Sequence, residues 1–385
     1  MVSFNDMDFG SRKDALVAAL TAQGIETPLP VQGEAIPRLL SGGNLVAQAP
    51  TGTGKTLAYL LPALARIDTD KARAQTIVFA PTYELAMQIA RTAQELAQAA
   101  TLPIRVLGLI GGANIQRQIE KLKKKPQLIV GSAGRLIELA HKGKLKLQDV
   151  NFLVLDEFDR LLDDQNAQNT ADIVRLVRRA RGEQPIQYAL FSATAPKKAL
   201  DRADFLDHPE VLRIEAAPMA AASVQHFYRM TPFREKVAEI RKLTRRLGVK
   251  RGIVFINKTF DAERTLEKLR YDGIRAEALL GHQGKQARAK ALADFRKGSV
   301  TLLLSTDLAA RGLDIADVDT VFNLDLPEDA KTYLHRAGRT GRAGKTGRVI
   351  TLADLKEALK LDKLSKALGI DFQRMDAPRR NNRKK

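Results

Sequence analysis

The sequence predicts an α/β protein made of two successive domains, and three observations carry that prediction. Short β-branched runs alternate with longer amphipathic stretches along the chain, the mark of βαβ units that build a parallel sheet. The alternation breaks once, at Glu215-Ala-Ala-Pro-Met-Ala-Ala-Ala-Ser223, and then restarts. A glycine-rich loop, Ala49-Pro50-Thr51-Gly52-Thr53-Gly54-Lys55-Thr56, stands between a short apolar run and a helical pattern.

The first half opens its strand series with Asn44–Gln48, just before the loop, and the helical pattern Leu57–Leu64 follows it. Further strands are expected at Thr76–Phe79, Arg105–Leu109, Leu128–Val130, Phe152–Leu155 and Tyr188–Phe191. Amphipathic stretches such as Glu84–Ala99 and Ala171–Arg181 lie between them. Beyond the small-residue stretch the expected strands are Gly252–Ile256, Ala276–Leu280, Thr301–Leu304, Thr320–Leu324 and Arg348–Leu352. Ile77-Val-Phe79 in one half is echoed by Ile253-Val-Phe255 in the other. The expected boundaries are a first domain over 1–215, a linker over 216–222, a second domain over 223–372 and a basic tail over 373–385.

Composition narrows the partners. At 385 residues the chain is long enough for two or three ordinary domains, and 44% apolar content supports well-packed cores. Its formal net charge of +19 points to a polyanion, most simply nucleic acid. Cysteine is absent, which excludes disulfides and thiolate-bound zinc. The histidines His141, His208, His226, His282 and His335 show no metal-ligand spacing. No apolar run reaches the ~18 residues of a membrane helix. The start of the chain lacks a charged segment followed by an apolar one, so a cytoplasmic protein is expected. No segment marks an obligate protein partner. The end, Arg379-Arg380-Asn-Asn-Arg383-Lys384-Lys385, reads as a solvated tail suited to phosphates.

The loop defines the chemistry. Ala49 stands where such loops usually begin with glycine, but Gly52 and Gly54 keep the backbone freedom that a phosphate cradle needs. Backbone N–H groups at a helix start favour a polyphosphate. Lys55 is placed to reach the terminal phosphates, and the Thr56 hydroxyl to hold Mg²⁺. The loop needs an acidic partner, and Phe152-Leu-Val-Leu-Asp156-Glu157 supplies one at the end of an apolar strand. Asp156 is the candidate metal ligand, and Glu157 the base that orients and deprotonates water for attack on the γ-phosphate.

With Asp156-Glu157-Phe158-Asp159 in view, essentially the whole chain resembles the DEAD-box ATP-dependent RNA helicases, particularly minimal bacterial members with two RecA-like domains. The resemblance implies the fold class: two tandem RecA-like domains, each a mainly parallel sheet flanked by helices. It makes Gly24 to Gln32 the adenine-reading segment, with Gln32 as the base contact and Phe4 or Phe9 as its aromatic partner. It assigns Thr51, Gly52, Thr53, Gly54, Lys55 and Thr56 to ATP. Pro81-Thr82, Gly111-Gly112 and Ser132 with Arg135 fall where the family's first domain grips RNA backbone. Ser192-Ala-Thr194 resembles the segment that couples hydrolysis to strand separation. In the second half, Thr259, Thr306 and Arg311 match RNA-facing positions, and Asp314 the ribose contact. His335-Arg336-Ala-Gly-Arg339-Thr-Gly-Arg342 resembles the arginine-finger segment, with Arg339 and Arg342 stabilising charge on the γ-phosphate. A plain basic helix face is a poor alternative, because glycines disfavour it.

Five segments depart from the family pattern. Phe158 replaces an alanine, Tyr83 an arginine, Leu29 a threonine, and Ser132-Ala133 a Thr-Pro pair. Leu280-Gly-His-Gln-Gly-Lys285 lacks the usual terminal His and Gln. The expected function is RNA-stimulated ATP hydrolysis coupled to local remodelling of RNA duplexes or RNA–protein complexes. Two alternatives stay open on these residues: an ATP-gated RNA clamp or chaperone with weak unwinding, and a DNA-translocating helicase.

Overall fold

The computed structural model describes residues 3–50, 52–214, 224–257, 260–271, 273–281, 283–310, 318–341 and 346–375. The chain divides into two compact units, at Glu215 and Ala216. The residues of the expected linker, 216–222, lie outside the described residues, as do Thr51, Thr259, Arg311, Asp314, Arg342 and the basic residues from Arg379 onward.

The first unit runs α1 (Lys13–Ala22), α2 (Pro30–Leu40), β1 (Leu45–Gln48), α3 (Lys55–Arg66), β2 (Thr76–Phe79), α4 (Tyr83–Ala99), β3 (Val106–Leu109), α5 (Ile115–Leu122), β4 (Leu128–Gly131), α6 (Ala133–His141), β5 (Phe152–Asp156), α7 (Phe158–Leu161), α8 (Ala167–Arg181), β6 (Gln187–Ser192), α9 (Lys197–Asp201) and β7 (Glu210–Arg213). Its seven strands lie in the order β3-β4-β2-β5-β6-β1-β7, and every pair is parallel.

The second unit runs β8 (Val224–Met230), α10 (Lys236–Arg246), β9 (Gly252–Phe255), α11 (Phe260–Tyr271), β10 (Ala276–Leu279), α12 (Lys285–Lys297), β11 (Leu302–Ser305), α13 (Asp307–Ala310), β12 (Thr320–Asn323), α14 (Ala330–Ala337), β13 (Gly347–Ala353), α15 (Ala358–Leu368) and β14 (Gln373–Arg374). Its sheet is β10-β11-β9-β12-β13-β8-β14, again all parallel. Counted from its own first strand, this order is the same as in the first unit. The Ile-Val-Phe echo falls on β2 and β9, the second strand of each unit and third from one sheet edge.

Each sheet is covered on both faces, which is why its strands read as continuous apolar runs rather than alternations. In β2, Ile77 and Phe79 enter one core and Val78 the other. In β9, Ile253 and Phe255 face one core and Val254 the other. Such alternation makes register expensive to shift, because a slip of one residue exchanges the faces.

Three strands were not legible in the sequence. β7 is Glu-Val-Leu-Arg on an exposed edge, so it carries no apolar run. β8, Val-Gln-His-Phe-Tyr-Arg-Met, is half-exposed and rich in polar side chains, yet it pairs with β13 over seven residues. β14 pairs with β8 through Gln373 and Arg374, residues that the sequence had set within the tail.

Candidate active site

Parallel strands bring their C-terminal ends to one edge, where a ligand crevice forms. In the first unit that edge joins the loop after β1 to the acidic end of β5. Gly52 and Gly54 take φ of 82° and 85°, the left-handed region that favours glycine. A Cβ on Gly54 would stand well inside contact distance of Gln32 Nε2. Thr53 donates its hydroxyl to Pro50 O at 2.7 Å, which tightens the turn. Lys55 Nζ donates to Ala49 O and Pro50 O, each at 2.7 Å. The ammonium is thus held at the loop mouth by the loop's own backbone.

Asp156 ends β5 and is 4% exposed. Its Oδ2 accepts from the Tyr59 hydroxyl at 2.8 Å, and its Oδ1 from Glu157 N at 3.0 Å. Burial pushes the Asp156 carboxyl above its ordinary range, against the attraction of Lys55 and the Tyr59 bond. Tyr59 is fully buried and its phenol is pushed well up, mainly by burial, so it stays a donor. It also bonds to the Thr56 side chain. Tyr59 was missed in the sequence. The available signal was a polar tip one helical turn beyond Lys55, on an otherwise apolar face of α3.

Glu157 has φ 53° and ψ 50°, a left-handed conformation that costs a non-glycine residue about 1–2 kcal/mol. Backbone strain of this kind clusters at functional sites. The turn drives Phe158 into the core, where it is fully buried beside Leu161, Ile173 and Val174. Asp159 then accepts from Ser192 Oγ at 2.6 Å and from the Thr194 hydroxyl. This joins the acidic segment to the end of β6.

Gln32 is 1% exposed and makes a reciprocal link: its Oε1 accepts from Leu29 N at 2.9 Å, and its Nε2 donates to Gly54 O at 3.1 Å. Phe4 and Phe9 are both buried in the same core.

Two family models match the chain: DEAD/DEAH box helicase over residues 29–203, and helicase conserved C-terminal domain over 235–344. The DEAD-box ATP-dependent RNA helicase CshC of Bacillus cereus is 40% identical, over 90% of this chain and 87% of its own. The chain belongs to the DEAD-box ATP-dependent RNA helicases. The probable ATP-dependent RNA helicase YfmL of Bacillus subtilis is also 40% identical, over 91% of both chains. Among solved structures, S. cerevisiae Dbp5 bound to RNA and ADP BeF3 is similar, with a TM-score of 0.81, 29% identity, and coverage of 94% and 93%. These relatives favour neither the DNA-translocating reading nor the weakly unwinding clamp.

The remaining expected positions of the first unit lie at or just beyond its own strand ends. Pro81 follows β2, and Thr82 caps α4 by accepting from Leu85 N at 3.3 Å. Tyr83 is therefore the first helical residue and not the cap; it is 36% exposed, with Met87 one turn on at 40%. Gly112 has φ 68°, and Ser132 Oγ accepts from Gly111 N at 3.3 Å. Arg135 points inward: it is 8% exposed, donates through both terminal nitrogens to Ala113 O, and pairs with Glu138 at 3.1 Å. These bonds tie it to the loop that carries Gly111 and Gly112.

In the second unit, Thr306 follows β11 and accepts from Ala309 N at 3.4 Å. Arg339 is 4% exposed and donates to His335 O at 3.3 Å. Arg336, which the sequence did not single out, is the hub of this edge. It is 1% exposed and binds Asp307 through two bonds of 2.7 Å. It also donates to Asn257 Oδ1, Asn323 Oδ1 and Asp325 O, and stacks 5.1 Å from the Phe255 ring. One guanidinium thus fixes the ends of β9, β11 and β12 against α14.

Proposed function

We propose that this helicase couples RNA-stimulated ATP hydrolysis to local unwinding or remodelling of RNA through the residues placed above. The observation that carries the reading is Asp156: a buried carboxylate held by Tyr59 and Glu157 N, drawn electrostatically by Lys55, at the strand edge that bears the glycine loop. Gln32 serves adenine, and Thr51 to Thr56 serve the phosphates. Glu157 prepares the attacking water. Arg339 and Arg342 are assigned to charge on the transferred phosphoryl group, and Asp314 to the ribose. Pro81, Thr82, Gly112, Ser132, Arg135, Thr259, Thr306 and Arg311 are assigned to RNA backbone, with Arg135 acting through the loop it holds.

Mg²⁺ fits the donor set. Thr56 and Asp156 offer a hydroxyl and a carboxylate, hard oxygen donors of the kind it prefers. Among the described residues no group of three His, Cys, Asp or Glu could hold a metal. Mg²⁺ characteristically keeps several waters and leans on substrate phosphates. It would neutralise phosphate charge there. No helix among the described residues is long and apolar enough to cross a membrane. A cytoplasmic location is part of this reading.

The test is ATP turnover and strand release measured side by side, with short RNA duplexes and matched DNA duplexes. RNA should stimulate ATPase and be unwound, and DNA should do neither. Tight ATP-dependent RNA binding without strand release would favour the clamp.

A further inference from the structure

In the second unit a hollow of about 760 Å³ opens beyond the ends of β8, β9 and β12, with α15 as one wall. Asp261 at the start of α11, Asp325 after β12, and Glu328 and Asp329 ahead of α14 line it. Phe233, 65% exposed, supplies apolar surface. A further carboxylate, Glu357, is tied to buried Lys236 at 2.7 Å. Two lysines on α15, Lys360 and Lys363, are its cations. On a chain of net charge +19, a hollow with five carboxylates and two lysines stands out. Its sign repels phosphate and attracts arginine.

One segment of this same chain fits by charge and by reach. β14 runs parallel to β8, and Met375 is fastened beside it: its N donates to Tyr228 O at 2.8 Å, and its O accepts from Arg229 Nη1 at 3.1 Å. Up to Met375 the chain thus runs in the direction in which β8 runs toward Phe233. From Tyr228 to Phe233 is at most about 18 Å of backbone, whereas the ten residues 376–385 reach roughly 33 Å. Those ten residues carry Arg379, Arg380, Arg383, Lys384 and Lys385 against a single acid, Asp376.

We propose that the C-terminal segment 376–385 docks in this acidic hollow of its own unit, with its arginines on the carboxylates and over the Phe233 ring, and that RNA competes for it. The competition rests on the RNA-binding reading above; the docking does not. Docked, the segment is withheld from RNA. Released, it adds cationic contacts to whatever strand the helicase holds.

The chain has no cysteine, so an introduced pair reports cleanly. Ala367 lines the hollow and Asn382 lies in the segment, and neither is charged. In the full chain carrying Ala367→Cys and Asn382→Cys, mild oxidation should give an intramolecular disulfide at low salt. The yield should fall at least about fivefold at ~0.5 M salt, where screening acts over roughly 4 Å. It should fall similarly when Asp261→Asn and Glu328→Gln are added, and fall again with single-stranded RNA. No disulfide, or the same yield after the acids are neutralised, would overturn the docking. A yield indifferent to RNA that the protein demonstrably binds would overturn the competition. Because the disulfide forms without ATP or RNA, its failure is distinct from failure of the helicase reading.

Discussion

The Tyr59 hydroxyl donates to Asp156 Oδ2 at 2.8 Å inside the first unit, where both side chains are shut from solvent. A helix that begins with Lys55 therefore also props the carboxylate proposed for the metal. Spacing on α3 sets both: Lys55 faces the loop, and Tyr59, one turn later, faces β5.

Tyr59→Phe removes that donor and leaves a buried carboxylate oxygen without it. A hydrogen bond to a charged group contributes about 1.5–3 kcal/mol, so the variant should melt well below wild type. Its Mg²⁺ requirement should rise as Asp156 becomes harder to ionise. Thermal melts and a Mg²⁺ titration of ATPase activity check both. Wild-type melting with a wild-type Mg²⁺ requirement would contradict the prop.

Phe158→Ala tests the other side of the acidic segment. The ring is fully buried, so truncation should cost about 3–5 kcal/mol. It reaches no reacting group, so turnover per folded molecule should change little. Denaturant melts beside ATPase rates below the transition separate the two. Lost turnover in a variant of normal stability would show that the ring transmits to the site.

Acid should weaken the second unit through His226. Its Nδ1 lies 2.6 Å from the Tyr333 hydroxyl, and burial lowers its pKa from 6.5 to about 4. Between those values the unfolded chain holds more protons, so stability rises with pH. The contribution is full above about 6.5 and is lost as pH falls toward 4. His226→Asn should flatten this part of the melting profile between pH 4 and 7. An unchanged slope would remove His226 as its cause.

Tyr83 and Met87 offer an aromatic and a thioether at the strand edge where the family pattern has a cation. If the strand passes there, Tyr83→Ala should weaken RNA binding by about 1–3 kcal/mol through lost stacking. Tyr83→Arg should tighten binding and steepen the log–log salt slope by roughly 0.7 for one added phosphate contact. Titrations at several salt concentrations decide it; no change in either variant would put Tyr83 off the RNA path.

Contiguous features were legible in the sequence. The glycine loop, the acidic pair and the Ile-Val-Phe echo each sit in one short segment, and the structure places the echo on equivalent strands. What needs two distant segments was not legible. Tyr59 with Asp156 and Arg336 with Asp307 are separated by 97 and 29 residues and meet only through the parallel sheet. The strand β8 hid for another reason: it is half-exposed, so burial never gave it an apolar signature. Arg135 shows a third limit, since residue type could not reveal that its guanidinium lies largely buried against Ala113 O.

The central claim is that Glu157, in its left-handed turn after Asp156, prepares the water that attacks ATP. The direct measurement is steady-state ATPase of Glu157→Gln with saturating RNA, alongside ATP and RNA affinities of the same protein. Wild-type affinities are expected with turnover lowered by at least about 100-fold, as befits loss of a general base. Turnover near that of wild type in a folded variant that still binds both ligands would contradict it.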